Sequence, residues 1–198
     1  IAVSFFGFGM TAFAQVSMGK QGCHREAKQD FNLTKYLKMS RTYETHSEKA
    51  SLPAICRVYQ TTQKNGQVNT TTYGYYQYNE NTYYSEGQCD VTMESMKGGQ
   101  FSEDCRITND TSLPNPDNYK DVVFKLYTSV IDTDYENFAI IYRCIDLEEY
   151  GIIDNILVLK SNKDANDDEV KLALQKNRKN LETFTRRTNN TYCDKNLN

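Results

Sequence analysis

The chain has 198 residues, 25% of them charged, and a net charge of −3 with acidic and basic side chains interspersed. That length suits one domain with a buried core, and the absence of a concentrated basic surface argues against nucleic acid as a partner. Two histidines and six cysteines without a C-x-x-C pair argue against a metal site of the usual ligand spacing.

Residues 1–14, IAVSFFGFGMTAFA, are uncharged, apolar and too short to span a bilayer, and Ala12-Phe13-Ala14 before Gln15 has the small-x-small form of a signal-peptidase site. They read as a signal peptide clipped at its front, leaving residues 15–198 as one secreted, extracellular domain. Nothing later in the chain reads as a transmembrane span, so no membrane contact is expected. Cys23, Cys56, Cys89, Cys105, Cys144 and Cys193 form an even set, which in an oxidising compartment predicts three disulfides. Asn32, Asn69, Asn109 and Asn189 each open an N-x-Ser/Thr sequon and are candidate glycosylation sites.

From about residue 40 to 160 the chain is a series of β-leaning runs separated by turn chemistry. Strands are expected at 42–47, 55–62, 68–78, 82–89, 100–107, 122–131, 135–145 and 152–160. Asn65-Gly66 supplies the positive φ angles of a tight hairpin between the second and third, and Asn79-Glu80-Asn81 turns the third into the fourth. Eight runs at this spacing predict an all-β fold, an eight-stranded antiparallel up-and-down barrel. Alternation is clearest where Val122, Phe124, Leu126, Thr128 and Val130 share one face, against Lys125, Tyr127 and Ser129. Strands 135–145 and 152–160 are apolar on both faces, as required of barrel strands that are also covered from outside. The cover is a C-terminal α-helix: Asn166-Asp167-Asp168-Glu169 is an acidic helix start, and Val170, Ala173, Leu174, Leu181 and Phe184 fall on one apolar stripe.

Several ordered stretches carry a resemblance. They are Asp30-Phe31-Asn32-Leu33-Thr34-Lys35-Tyr36, Thr42-Tyr43-Glu44-Thr45-His46-Ser47, Ile55-Cys56-Arg57, Gly99 to Cys105, Thr128 to Tyr135, and the late Tyr192-Cys193. With the eight strands and the final helix, they resemble the triabin-like salivary lipocalins of blood-feeding bugs, the calycin group that includes the nitrophorins. The likeness covers essentially the whole mature chain. It implies a lipocalin barrel, a monomer, and the pairings Cys23–Cys144, Cys56–Cys193 and Cys89–Cys105, which the cysteines alone leave open.

The chain departs from that pattern twice. Lipocalins carry a Gly-x-Trp whose Trp plugs the closed end; here the stretch is Ser40-Arg41-Thr42, the chain has no Trp, and Tyr43 is the candidate replacement. Nitrophorins hold haem through a histidine, and the matching position here is Gln77, whose amide is a poor iron ligand, so no haem or other cofactor is expected.

Residues 73–84, YGYYQYNENTYY, hold six tyrosines in twelve positions. Without an interleaved Lys or Arg they lack the electrostatic half of a base-stacking platform. They suit either a calyx wall that orients a ligand through hydroxyls or plain cross-strand packing of rings. The candidate ligand wall is Tyr73, Tyr75, Gln77, Phe124, Leu126, Phe138 and Ile140. A candidate acidic rim is Asp110, Asp117, Asp146, Glu148 and Glu149, able to steer a cationic amine inward or dock on a basic protein. No catalytic constellation is evident: the cysteines are committed to disulfides, and His24 and His46 lie in no nucleophile context. The resemblance implies sequestration of a small host mediator of haemostasis or inflammation, a biogenic amine or an eicosanoid. The alternative it implies is inhibition of a host protein, thrombin or the contact (kallikrein–kinin) pathway.

Overall fold

The computed structural model describes residues 22–49, 54–115 and 121–195, apart from the side chain of Glu149. The expected signal peptide lies outside them. Eight antiparallel strands follow in order: β1 (Arg41–Ser47), β2 (Ala54–Lys64), β3 (Gln67–Tyr78), β4 (Asn81–Thr92), β5 (Gln100–Asp110), β6 (Val123–Thr133), β7 (Phe138–Asp146) and β8 (Ile152–Lys160). Each pairs with the next, and β8 returns onto β1, so the sheet closes into a ring. The hairpin residues Asn65 and Gly66, and again Asn79 and Glu80, all take positive φ, the turn whose twist matches that of the strands it joins.

β7 starts three residues later than the periodicity suggests. Asp134 Oδ1 accepts the backbone N–H groups of Glu136, Asn137 and Phe138 at 3.0, 2.8 and 3.0 Å, which holds Tyr135 in a left-handed turn at φ 69°. A carboxylate that satisfies three backbone donors outcompetes the strand ladder locally.

Two short helices flank the closed end, α1 (Leu33–Tyr36) and α2 (Met93–Met96). Asn32 and Thr92 cap them, each accepting a backbone N–H from the third residue on. Leu37, Met96 and Phe101 fill the closed end together with Val68, Val91, Val130 and Leu159. Tyr43 is not the plug. It faces outward, and its hydroxyl donates to Asp194 at 2.9 Å.

The outer face of β7 and β8 is covered by α3 (Asp168–Lys176), where Val170, Ala173 and Leu174 pack on Phe138, Ile140, Tyr142, Ile156 and Val158. The apolar stripe belongs to two elements rather than one helix. α3 stops at Lys176, Arg178 turns left-handed at φ 57°, and the Lys179 N–H closes on the Leu174 carbonyl. Leu181 and Phe184 then complete the same cover from a 3₁₀ turn at Leu181–Thr183.

The last residues are built into the wall. β1 and β2 pair directly only from Arg41–Tyr43 to Val58–Gln60. Above Tyr43 they part, and β9 (Thr185–Arg186) pairs with β1 at Ser47 and His46. Beyond it, Arg187 N–H donates to Thr45 O, Thr188 N–H to Ala54 O and Asn189 N–H to Ile55 O. The tail therefore fills the gap between the first two strands before α4 (Tyr192–Lys195). Three disulfides pin this arrangement: Cys23–Cys144, Cys56–Cys193 and Cys89–Cys105. In the chain-entropy model closures of these lengths are worth about 3–5 kcal/mol each.

Gly74 pairs with Arg57 across β2 and β3, and a Cβ built there would lie 2.3 Å from the Cys56 carbonyl oxygen. Because the obstacle is backbone, Gly74→Ala should cost about 1–3 kcal/mol, read as a lowered midpoint in urea.

His46 is buried at the β1–β9 junction, and burial lowers its pKa, with Arg186 and Lys160 adding to that effect and Asp167 opposing it. It takes up its proton at a lower pH in the fold than in the unfolded chain, which protonates near the ordinary value of about 6.5. Stability should therefore fall as pH drops below that value. His46→Gln should flatten the urea midpoint between neutral pH and pH about 5.

The barrel interior as a candidate ligand site

Inward positions on the strands are not uniformly apolar. Six side chains from six segments form a polar belt across the middle of the barrel. Arg187 ion-pairs with Glu44 of β1, whose Oε2 accepts the Tyr59 hydroxyl of β2 at 3.0 Å. The guanidinium of Arg143 on β7 lies over the Tyr59 ring, 5.3 Å from its centroid. Arg143 Nη2 donates to Glu103 Oε2 of β5 at 3.0 Å, and Thr128 Oγ1 of β6 donates to the same oxygen at 2.7 Å. Glu44, Arg143, Glu103 and Arg187 are all buried, so each charge depends on its neighbours for solvation. Burial opposes the charge on Arg143, but Glu103 and Tyr59 raise its pKa above the usual value. Tyr36, beneath the belt, is pushed up to about 12 by burial and by Glu103.

Below the belt lies a cavity of about 40 Å³, room for about three waters. Tyr36, Thr42, Thr61, Thr70, Glu103 and Arg143 give it polar walls, and Leu37, Met39, Met96, Phe101 and Leu159 apolar ones. Thr42 stands where lipocalins place the plugging Trp, so the missing indole leaves a small polar void beside the Leu37–Met96 plug.

Above the belt the two sides of the barrel differ in chemistry. On β2, Arg57 is buried with its guanidinium in the field of Tyr59, Asp110 and Tyr76, and burial depresses its pKa. Asp110 Oδ1 accepts the Tyr76 hydroxyl at 3.2 Å, the Ser112 hydroxyl at 2.7 Å and the Ser112 N–H at 2.9 Å. Burial raises Tyr76 to about 12. On the opposite side Cys89, Cys105, Leu126 and Ile153 are buried against Phe124, Ile145 and Leu147. Cys105 shares the inward parity of Phe101 and Glu103, so the Cys89–Cys105 bond lies on the inner wall.

Of the expected ligand wall, only Phe124 and Leu126 face inward. Tyr73 and Tyr75 point outward, packed with Cys193 and Tyr192 of the tail, and the Tyr75 and Tyr192 rings stand 4.9 Å apart. Gln77 shares their outward parity and is exposed near the hairpin tip, so it is not a calyx residue. Phe138 and Ile140 point outward beneath α3. The reason is common to the four apolar ones, Tyr73, Tyr75, Phe138 and Ile140. Their strands are covered outside as well as inside, and on β7 the bulkier apolar residues went to the covered outer face while Ala139, Ile141 and Arg143 went inward.

The expected rim divides too. Asp110 is buried and belongs to the interior; Asp146 and Glu148 are exposed, with Asp146 Oδ1 accepting the Glu148 N–H at 2.9 Å. Asp117 and the Glu149 side chain lie outside the described part. Among the sequon residues, Asn32, Asn109 and Asn189 are exposed, whereas Asn69 is half-buried and donates to Asp90 at 2.8 Å.

A family model described as Triabin matches residues 13–172. The chain belongs to the triabin family. A relative within the matches, pallidipin of Meccus pallidipennis, is 35% identical over 178 residues, covering 88% of this chain and 87% of the relative. Among solved structures, the tryptamine complex of the amine-binding protein of Rhodnius prolixus superposes with a TM-score of 0.67 at 19% identity, covering 85% and 87% of the two chains. A point mutant of LTBP1 in complex with leukotriene C4 superposes with a TM-score of 0.55 at 22% identity, covering 84% and 94%. At those identities the structures bear on the fold, and the eight-stranded ring with its outer helix is the lipocalin arrangement that triabin membership leads one to expect.

Sequence reasoning passed over the belt and the Arg57 above it. Their signal was an arginine set in an apolar strand, Arg143 in FAIIYRCID and Arg57 in AICRVY. Such a residue on a doubly covered strand must face the interior and find a partner there. Glu103→Leu leaves Arg143 buried without its carboxylate and should cost about 3–5 kcal/mol, whereas Glu103→Leu with Arg143→Met should restore most of that loss in the same urea unfolding assay.

Proposed function

We propose that this secreted triabin-family lipocalin sequesters a small host mediator inside its barrel, and that the mediator is a carboxylate-bearing lipid of the eicosanoid type. The observation that carries this reading is Arg57, a fully buried cation on the inner wall facing the apolar Phe124–Leu126 side. A lipid acid needs both halves, a cation at depth for its head and apolar wall for its chain. An amine would need an inward carboxylate with capacity to spare. The inward carboxylates of the belt are committed to Arg143 and Arg187, and Asp110 stands close to the Arg57 charge. That the similarly folded proteins were solved with tryptamine and with leukotriene C4 supports a small ligand of either kind, and the interior charges favour the acid. Such a protein works by stoichiometry, lowering free mediator below its receptor threshold.

A second reading keeps one observation of its own. Tyr150, Val123 and Tyr78 are 77%, 57% and 51% exposed near the open end, beside the acidic Asp146 and Glu148. An apolar lip with acidic flanks suits a basic host protein of the coagulation or contact pathway.

Calorimetric titration with a stable thromboxane analogue, leukotriene C4, serotonin and histamine separates these readings. Saturable one-to-one binding of an eicosanoid, weakened about tenfold or more by Arg57→Met, is expected. Binding of an amine in its place would overturn the choice of mediator. Four blank titrations together with prolonged clotting or blocked factor XII binding would move the function to the lip.

A further inference from the structure

Arg187 is an anomaly that the fold alone does not require. Its backbone belongs to the tail segment between β1 and β2, where its N–H donates to Thr45 O. Its side chain is carried into the barrel, 1% exposed, with Nη2 against Glu44 Oε1. Nε and Nη1 are buried and meet no acceptor among the described residues. Leaving a buried donor unmet costs about 1–3 kcal/mol, and here one side chain leaves donors on two nitrogens idle. The neighbouring Glu44 is held from its other side by the Tyr59 hydroxyl, which donates to its Oε2 at 3.0 Å.

We infer that the Arg187–Glu44 pair is a specificity-determining contact of the barrel, and that it receives an uncharged oxygen of the cargo, a hydroxyl, ether or carbonyl. The chemistry of the pair selects that class. Glu44 already neutralises Arg187, so a carboxylate placed on the idle N–H groups would also sit against the Glu44 charge. A neutral oxygen accepts from Arg187 without that repulsion, and a hydroxyl can donate back to the Glu44 carboxylate. A cargo gripped both here and by Arg57 carries an acid at one point and a further oxygen at another, an oxygenated fatty acid rather than a plain one. The discriminating arginine comes from the tail and not from a barrel strand, so the tail forms part of the binding site as well as part of the wall.

The inference rests on the lipid-acid reading of the interior, and the test separates the two. The full chain is titrated with arachidonic acid, which has only its carboxylate oxygens, and with a stable thromboxane analogue, which has further oxygens. The same titrations are run on Glu44→Gln/Arg187→Gln, whose neutral amides keep the size of the pair without stranding a charge; its fold is checked by near-ultraviolet circular dichroism. The native chain should prefer the oxygenated lipid by about tenfold or more, and the double variant should lose that preference while retaining arachidonic acid within a few-fold. Arg187→Lys with Glu44 intact tests geometry, since an ammonium lacks the fork of donors, and it should recover only part of the preference. Equal affinity of the native chain for the two lipids, or an undiminished preference in the double variant, would overturn the inference and leave the lipid reading standing. Failure of the native chain to bind either lipid would overturn both. A double variant without native near-ultraviolet circular dichroism passes the decision to Arg187→Lys, where an unchanged preference overturns the inference and a reduced one supports it.

Discussion

The belt from Arg187 through Glu44, Tyr59, Arg143 and Glu103 to Thr128 is the constraint on which the interior depends. Each member comes from a different segment, so the belt ties the tail, β1, β2, β7, β5 and β6 together at one level of the barrel. In a low-dielectric interior such a chain tolerates no missing link, because removing one member leaves the next charge without solvation. An apolar core of similar volume would hold the strands at least as well. A buried ionic belt is thus better understood as a device for position than as a source of stability. It sets a floor inside the barrel, with the closed end and its small cavity beneath and inner walls of mixed polar and apolar chemistry above.

The closed end shows how the fold manages without the lipocalin tryptophan. Thr42 stands where the lipocalin pattern has its plugging indole, and Leu37, Met96 and Phe101 fill the closed end beside a small polar cavity. The cavity borders the belt, where Glu103 and Thr42 can hold water by hydrogen bonds. The ring of strands above it closes without an aromatic plug at that position.

Much of the architecture was legible before any coordinates. Turn chemistry at Asn65-Gly66 and Asn79-Glu80 placed the hairpins, and alternation on β6 put Phe124 and Leu126 on the inner face. The α3 stripe was legible as a surface but not as a helix end, because Leu181 and Phe184 reach the same apolar patch through a 3₁₀ turn. The site was harder for a physical reason. A period of two tells which residues share a face and not which face is inward, and covering both sides of a strand removes the polarity difference that would decide it. Tyr73, Tyr75, Phe138 and Ile140 were indistinguishable from calyx residues on that criterion. Arginines embedded in apolar strands carried the information that tyrosine richness did not. Arg187 could not have been found this way, since its segment has only two strand residues before it and no period to read.

The tail's place between β1 and β2 also governs the order in which the molecule can be made. Residues 45–47 have their wall partners near residues 185–187, so the seam stays open until residues 185–187 have been made. The Cys56–Cys193 bond spans 137 residues and is available only once Cys193 has been made. A nascent barrel must therefore wait with one side unzipped and its inner wall wetted until Cys193 is in place. Such long-range closure makes for slow maturation and needs oxidising conditions for its last disulfide.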